Sequence, residues 1–139
     1  MLGTEPSANP AGSAHVGPSG VYPVNPTNLF RNADNLERHA AGTVIFRKGD
    51  QGDYMYVVME GEVDVLADGH YIRTLHAGDI FGEMSLIDDA PRSADAIAKT
   101  ECVLAPVDER RFLFLVHETP MFALYMMGVM AARLRDWHD

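Results

Sequence analysis

The chain reads as mainly β with α: a small β-roll, a jelly-roll-like barrel, with one short helix between strands and two carboxyl-terminal helices. Three observations predict it. From Thr43 the sequence falls into short β-branched and aromatic runs separated by glycine turns. Turns recur roughly every eight to twelve residues, a spacing that suits a sandwich or barrel. From Asp108 onward the glycine turns give way to helical periodicity.

Taken in order, residues 1–28 carry one charged side chain, Glu5, and five of the eight prolines. A segment so poor in apolar surface cannot offset its chain entropy, so it reads as a disordered Pro/Gly/Ser-rich tail before a domain over 29–139. Asn28 to His39 is short and polar and offers little more than an abbreviated helical lead-in. Thr43–Lys48 is the first clear strand, ended by Gly49-Asp50-Gln51-Gly52-Asp53. Tyr54–Met59 follows, then Glu62–Ala67, which alternates cleanly and stops at Asp68-Gly69, a two-residue hairpin signal. His70–Leu75 is the return strand, and Ala94–Lys99 and Cys102–Val107 close the β portion. Asp108-Glu109 places acid at the start of one helix, and Pro120 opens a longer one reaching about Trp137.

Residues 81–94, Phe-Gly-Glu-Met-Ser-Leu-Ile-Asp-Asp-Ala-Pro-Arg-Ser-Ala, fit none of this pattern. Glu83 to Ile87 make one or two helical turns at most, and the amides opening such a turn have no helical partner and suit an anion. Gly82 permits close backbone approach. Pro91 stiffens the return, and Arg92 supplies a forked donor for phosphate oxygens. Glu83 suits such a place only if it accepts hydrogen bonds from neutral hydroxyls of the same molecule. A phosphate with a sugar hydroxyl beside it satisfies both.

Phe81-Gly82-Glu83-Met84-Ser85-Leu86 with Pro91-Arg92-Ser93-Ala94 resembles the phosphate-binding cassette of cyclic nucleotide-binding domains. The resemblance extends upstream through Ala41–Asp50 and Gly61-Glu62-Val63, and downstream through Ala98-Lys99-Thr100 to the last helix. It implies a cyclic-nucleotide receptor, with cAMP as the expected ligand and cGMP as the second choice. Glu83 would take the ribose 2′-hydroxyl and Arg92 the cyclic phosphate. Amides at Gly82, Glu83, Ser93 and Ala94 would complete the cradle, with Phe81, Met84 and Ser85 as the remaining cassette positions. In kinase-type cassettes alanine after Pro-Arg goes with cAMP and threonine with cGMP. Ser93 falls between, and serine there also occurs in the catabolite activator family.

The same residues admit other readings. Glu83 and Arg92 could form a plain salt bridge at the base of a loop. Asp88 and Asp89 could be a catalytic pair, but adjacent turn acids usually cap a bend. Cys102, the only cysteine, reads as a core thiol. A cupin-like metal enzyme needs a His-x-His pair, which His70 and His76 do not supply. A further alternative keeps the fold as an interaction module without nucleotide. No catalytic residue, metal or cofactor is expected.

The formal net charge of −9 argues against nucleic acid and anionic lipid as partners. No apolar run reaches the roughly 20 residues of a membrane span, and the amino terminus lacks a secretory pattern. A cytoplasmic location follows as the expectation. On the last helix, Ala123, Met127, Met130, Leu134 and Trp137 form one apolar stripe, and Phe122, Met126 and Val129 an adjoining one. Two stripes suggest one covered face and one for a partner, with a homodimer through this helix expected. Arg133 and Trp137 are candidates for a lid over the base. With no output segment seen after Asp139, a stand-alone receptor signalling to an unknown effector protein in trans is the expected arrangement.

Overall fold

The computed structural model of the chain describes residues 25–138, with side chains through Arg135. In order they form helix α1 (Pro26–Phe30), strands β1 (Glu37–His39), β2 (Val44–Phe46), β3 (Met55–Glu60), β4 (Val63–Ala67), β5 (His70–Leu75) and β6 (Ile80–Phe81). Helix α2 (Glu83–Asp88) precedes β7 (Asp95–Ala98) and β8 (Cys102–Val107), and α3 (Glu109–Glu118) and α4 (Pro120–His138) follow. The boundary expected after residue 28 falls inside α1, where Pro26 and Phe30 are buried. Residues 1–24 of the expected tail lie outside the described residues.

The strands form two four-stranded antiparallel sheets, in the orders β1-β8-β3-β6 and β2-β7-β4-β5. They are not closed into a barrel, because β6 and β1 end one sheet and β2 and β5 the other; the β-roll expected from the sequence is a pair of facing sheets. Alternation along the strands sends Tyr56 and Val58 of β3, Cys102 and Leu104 of β8, and Phe81 inward from the first sheet. Val63, Leu75, Ala96 and Ala98 meet them from the second. Met55, Val57 and Val107, on the opposite face of the first sheet, are also fully buried. That double burial explains why β3 and β8 read as unbroken apolar runs.

Local sequence sets the turns. Asp68 and Gly69 both take positive φ, 53° and 82°, the conformation of a type I′ hairpin whose twist matches its strands. Gly61, at φ 85°, turns the chain from β3 in one sheet to β4 in the other. The amides of Lys99 and Thr100 donate to the Glu62 carbonyl, and the Thr100 hydroxyl accepts from the Glu62 amide. Two distant turns are thereby tied together at the crossing between sheets. Cys102 is buried, and burial pushes its thiol pKa up, as expected of a core position.

The chain divides into two compact units, Pro26–Phe112 and a second containing Leu113–Asp139. In the helical unit Phe122, Tyr125, Met126 and Val129 of α4 are buried, whereas Met121, Leu124, Met127 and Leu134 are exposed. The two apolar stripes expected on this helix thus differ in environment. At the start of α3, Asp108 accepts a hydrogen bond from the Arg111 amide at 2.8 Å, an N-cap that fixes where the helix begins. Among the described residues no single helix is long and apolar enough to cross a membrane.

Candidate functional site

All the cassette residues singled out in the sequence fall within the Pro26–Phe112 unit, around Arg92. The Arg92 backbone is fixed first. Its amide donates to the Asp50 carbonyl and its carbonyl accepts from the Gly49 amide, both at 2.8 Å. The Asp50 side chain in turn accepts from the Arg47 amide, closing the turn that does the holding. From this anchor the side chain enters the protein. Nη1 donates to the Gly82 carbonyl at 2.9 Å and Nη2 to the Tyr54 carbonyl at 2.6 Å.

The result is a cation only 5% exposed whose side-chain hydrogen bonds run to carbonyls rather than to Glu83. A guanidinium has five N–H groups; two are spent on those carbonyls, and Nε is buried with no hydrogen-bond partner. Burial pulls the Arg92 pKa down, opposed through space by Tyr56, then Asp53, Asp50 and Glu83. A desolvated charge of this kind is costly unless something of opposite sign completes it. Backbone carbonyls, and not a loop-base salt bridge to Glu83, take the hydrogen bonds of Nη1 and Nη2.

Helix α2 supplies the other wall. Gly82 caps it in the left-handed region, φ 77° and ψ 12°, with no side-chain cap. A Cβ there would stand 2.6 Å from Arg92 Nη1, so glycine is favoured both by conformation and by the space the clamped guanidinium takes. Glu83 and Ser85 turn to the buried side, at 4% and 3% exposure, whereas Met84 faces outward. Phe81 is buried in the sheet below, stacked on Tyr56 with ring centroids 5.2 Å apart. Ser93 is exposed and Ala94 half-buried on the strand-ward side of Arg92. Asp88 accepts from the Ala90 amide, and Asp89 takes φ 62°. These two acids shape the turn, as adjacent turn acids usually do.

The lid candidates both belong to α4. Arg133 is half-buried on α4 in the helical unit, and the side chain of Trp137 lies outside the described residues. His76 pairs with Glu62 at the surface, 3.4 Å away. Among the described residues no three His, Cys, Asp or Glu side chains are grouped to hold a metal ion.

Three features of the site escaped the sequence reading. Tyr54 contributes a carbonyl, which no side-chain pattern reveals. Phe46 lies under the Arg92 guanidinium, 4.1 Å from Cζ to ring centroid. Gly52 read only as a turn residue, yet a Cβ there would meet Ser85 Cβ and Oγ at 2.6 Å and Arg92 Cζ at 2.7 Å. Gly52→Ala is expected to cost about 1–3 kcal/mol by overpacking, read from urea unfolding. A variant as stable as the parent would show that this space is not needed.

Comparison with known proteins gives one consistent answer. Residues 36–119 match the family model of the cyclic nucleotide-binding domain. The cAMP-dependent protein kinase regulatory subunit of Eremothecium gossypii is 42% identical over 71 residues, covering 51% of this chain and 16% of that protein. Rap guanine nucleotide exchange factor 3 of Homo sapiens is 42% identical over 80 residues, covering 55% of this chain and 9% of that one. The chain thus spans a small part of the curated relatives it matches. Among solved structures, the Thermus thermophilus catabolite activator protein superposes with a TM-score of 0.67 at 29% identity, covering 79% of this chain and 59% of the other. With the family model spanning more than half of its length and the buried Arg92 inside the matched region, the chain belongs to the cyclic nucleotide-binding domain family.

Proposed function

We propose that the chain is a cytoplasmic receptor for a cyclic nucleotide, cAMP in preference to cGMP, with no catalytic activity and no nucleic-acid partner. Ligand binding biases its carboxyl-terminal helix, and the signal passes to a second protein. The observation that carries this reading is Arg92: a buried cation, with donors to spare, whose own hydrogen bonds are all to carbonyls. A cyclic phosphate brings one negative charge and oxygens placed for a fork. Glu83 at the start of α2 accepts from the ribose 2′-hydroxyl, the role its cassette position implies. The name of the Eremothecium gossypii relative, with its 42% identity, supports cAMP as the ligand.

Calorimetric titration with cAMP, cGMP and linear AMP tests the proposal. Tight binding of cAMP is expected, with weaker cGMP and poor AMP, whose acyclic dianion mismatches a pocket shaped for a ring. Glu83→Ala is expected to weaken cAMP binding by about 1.5–3 kcal/mol, the range for hydrogen bonds to a charged acceptor. No heat from either cyclic nucleotide, or AMP binding equal to cAMP, defeats the reading.

The homodimer belongs to the same proposal. Its support is the exposed stripe of Met121, Leu124, Met127 and Leu134 on α4. Sedimentation velocity is expected to give a dimer that Met127→Glu with Leu134→Glu converts to monomer. A wild-type monomer at high concentration removes that part.

A further inference from the structure

Arg92 is held by more than carbonyls. Its Cζ stands 4.1 Å from the centroid of Phe46 and 5.9 Å from that of Tyr56. The Phe46 ring is itself braced, with centroids 5.8 Å from Phe81 and 6.3 Å from Tyr56 in tilted arrangements. Strand β2 places it by a local irregularity. Between Val44 and Phe46 the strand advances two residues while its partner β7 advances one, from Ile97 to Ala96. A bulge of this kind bends a strand and re-aims the side chain beyond it. Phe46 is half-buried and packs on the edge of the inter-sheet core, so one ring joins that core to the arginine.

A ring face attracts a cation through its quadrupole yet takes no N–H away from hydrogen bonding. A carboxylate in the same place would neutralise the guanidinium and compete with an incoming anion. We propose that Phe46 is a positioning residue for anion recognition: its ring steadies the desolvated Arg92 guanidinium, leaving the charge and the remaining donors for the ligand. This rests on the receptor reading above and adds to it a residue outside the cassette that stabilises the cation without an anion.

The test uses the full chain and two substitutions. Phe46→Leu keeps an apolar side chain at the core edge and removes the ring, whereas Phe46→Tyr keeps the ring. Phe46→Leu is expected to raise the Kd for cAMP roughly tenfold, between the sizes of an exposed and a desolvated cation–π contact, with Phe46→Tyr within about threefold of the parent. The ratio of cAMP to cGMP affinity is expected to stay unchanged in both, because Phe46 acts on the arginine and not on the base. Parent-like cAMP affinity in Phe46→Leu, or equal losses in the leucine and tyrosine variants, overturns the proposal.

A second measurement needs no nucleotide. Urea unfolding of Phe46→Leu, Arg92→Gln and the double variant forms a cycle that reads the contact in the free protein. A coupling of about fivefold in the unfolding constant is expected, and additive effects overturn the proposal. A parent chain that takes up neither cyclic nucleotide sinks the receptor reading alone, and this cycle still decides the Phe46–Arg92 contact.

Discussion

Arg92→Ala is expected to abolish tight cyclic-nucleotide binding, a loss of roughly 2–5 kcal/mol for truncating one member of a buried charge pair. The size follows from burial. At 5% exposure, with two carbonyls as its only side-chain hydrogen-bond acceptors among the described residues, the guanidinium cannot be replaced by water entering the same place without rearrangement. The substitution removes the charge facing the phosphate and leaves the carbonyls of Gly82 and Tyr54 without their donors. Arg92→Lys is expected to fall between, since it restores a charge but not a fork able to serve both carbonyls and a phosphate. Titration calorimetry with cAMP measures both, with circular dichroism to establish folding. Equal affinity of Arg92→Ala and the parent, both folded, rejects the assignment of the arginine to the ligand.

The largest expected effect on stability comes from Gly61→Ala. Its φ of 85° is strained for any L-residue with a side chain, and the added Cβ would meet the Glu101 carbonyl oxygen at 2.3 Å and Cys102 Cα at 2.8 Å. Both neighbours are backbone, tied into the crossing between the sheets, so neither yields by rotating a side chain. Strain and overpacking together are expected to cost about 2–5 kcal/mol. Gly69→Ala separates the two contributions. Its φ is similar, 82°, but nothing lies within 4 Å of the added Cβ, so strain alone is expected, about 1 kcal/mol. Urea denaturation of the pair checks the difference, and equal losses would mean that the collision at Gly61 is relieved cheaply.

These two glycines also illustrate what could be read in advance. The Asp68-Gly69 turn was legible because its cause is local: two residues that accept positive φ between alternating strands. The His70–Leu75 and Cys102–Val107 strands were legible for a similar reason, because apolar and β-branched runs state their own conformation. Strand β1 was not. Glu37, Arg38 and His39 are polar and few, and they become a strand only by pairing with Leu104, Val103 and Cys102 far along the chain.

The site divides in the same way. Glu83, Arg92 and Gly82 stood out because a carboxylate, a guanidinium and a glycine in one short stretch are chemically conspicuous. Gly52 and Phe46 did not, because each acts through a distance to Arg92 that only the fold creates. Tyr54 acts through its backbone and carries no sequence signal at all. Periodicity separated two stripes on α4 but could not assign their environments; the structure buries Phe122, Met126 and Val129 and exposes Met127 and Leu134.

The clamp on Arg92 has a consequence for the entropy of recognition. A free arginine side chain has about 2 kcal/mol of rotamer freedom to lose. Here two backbone hydrogen bonds fix its Cα and two side-chain bonds, with a ring beneath, fix its far end, all before any ligand arrives. That freedom is surrendered during folding, so an arriving anion meets a group already ordered and loses no affinity to ordering it. Substitutions that loosen the clamp without touching the ligand, at Gly49, Asp50 or Phe46, therefore make the arginine mobile again. Their signature is a less favourable binding entropy.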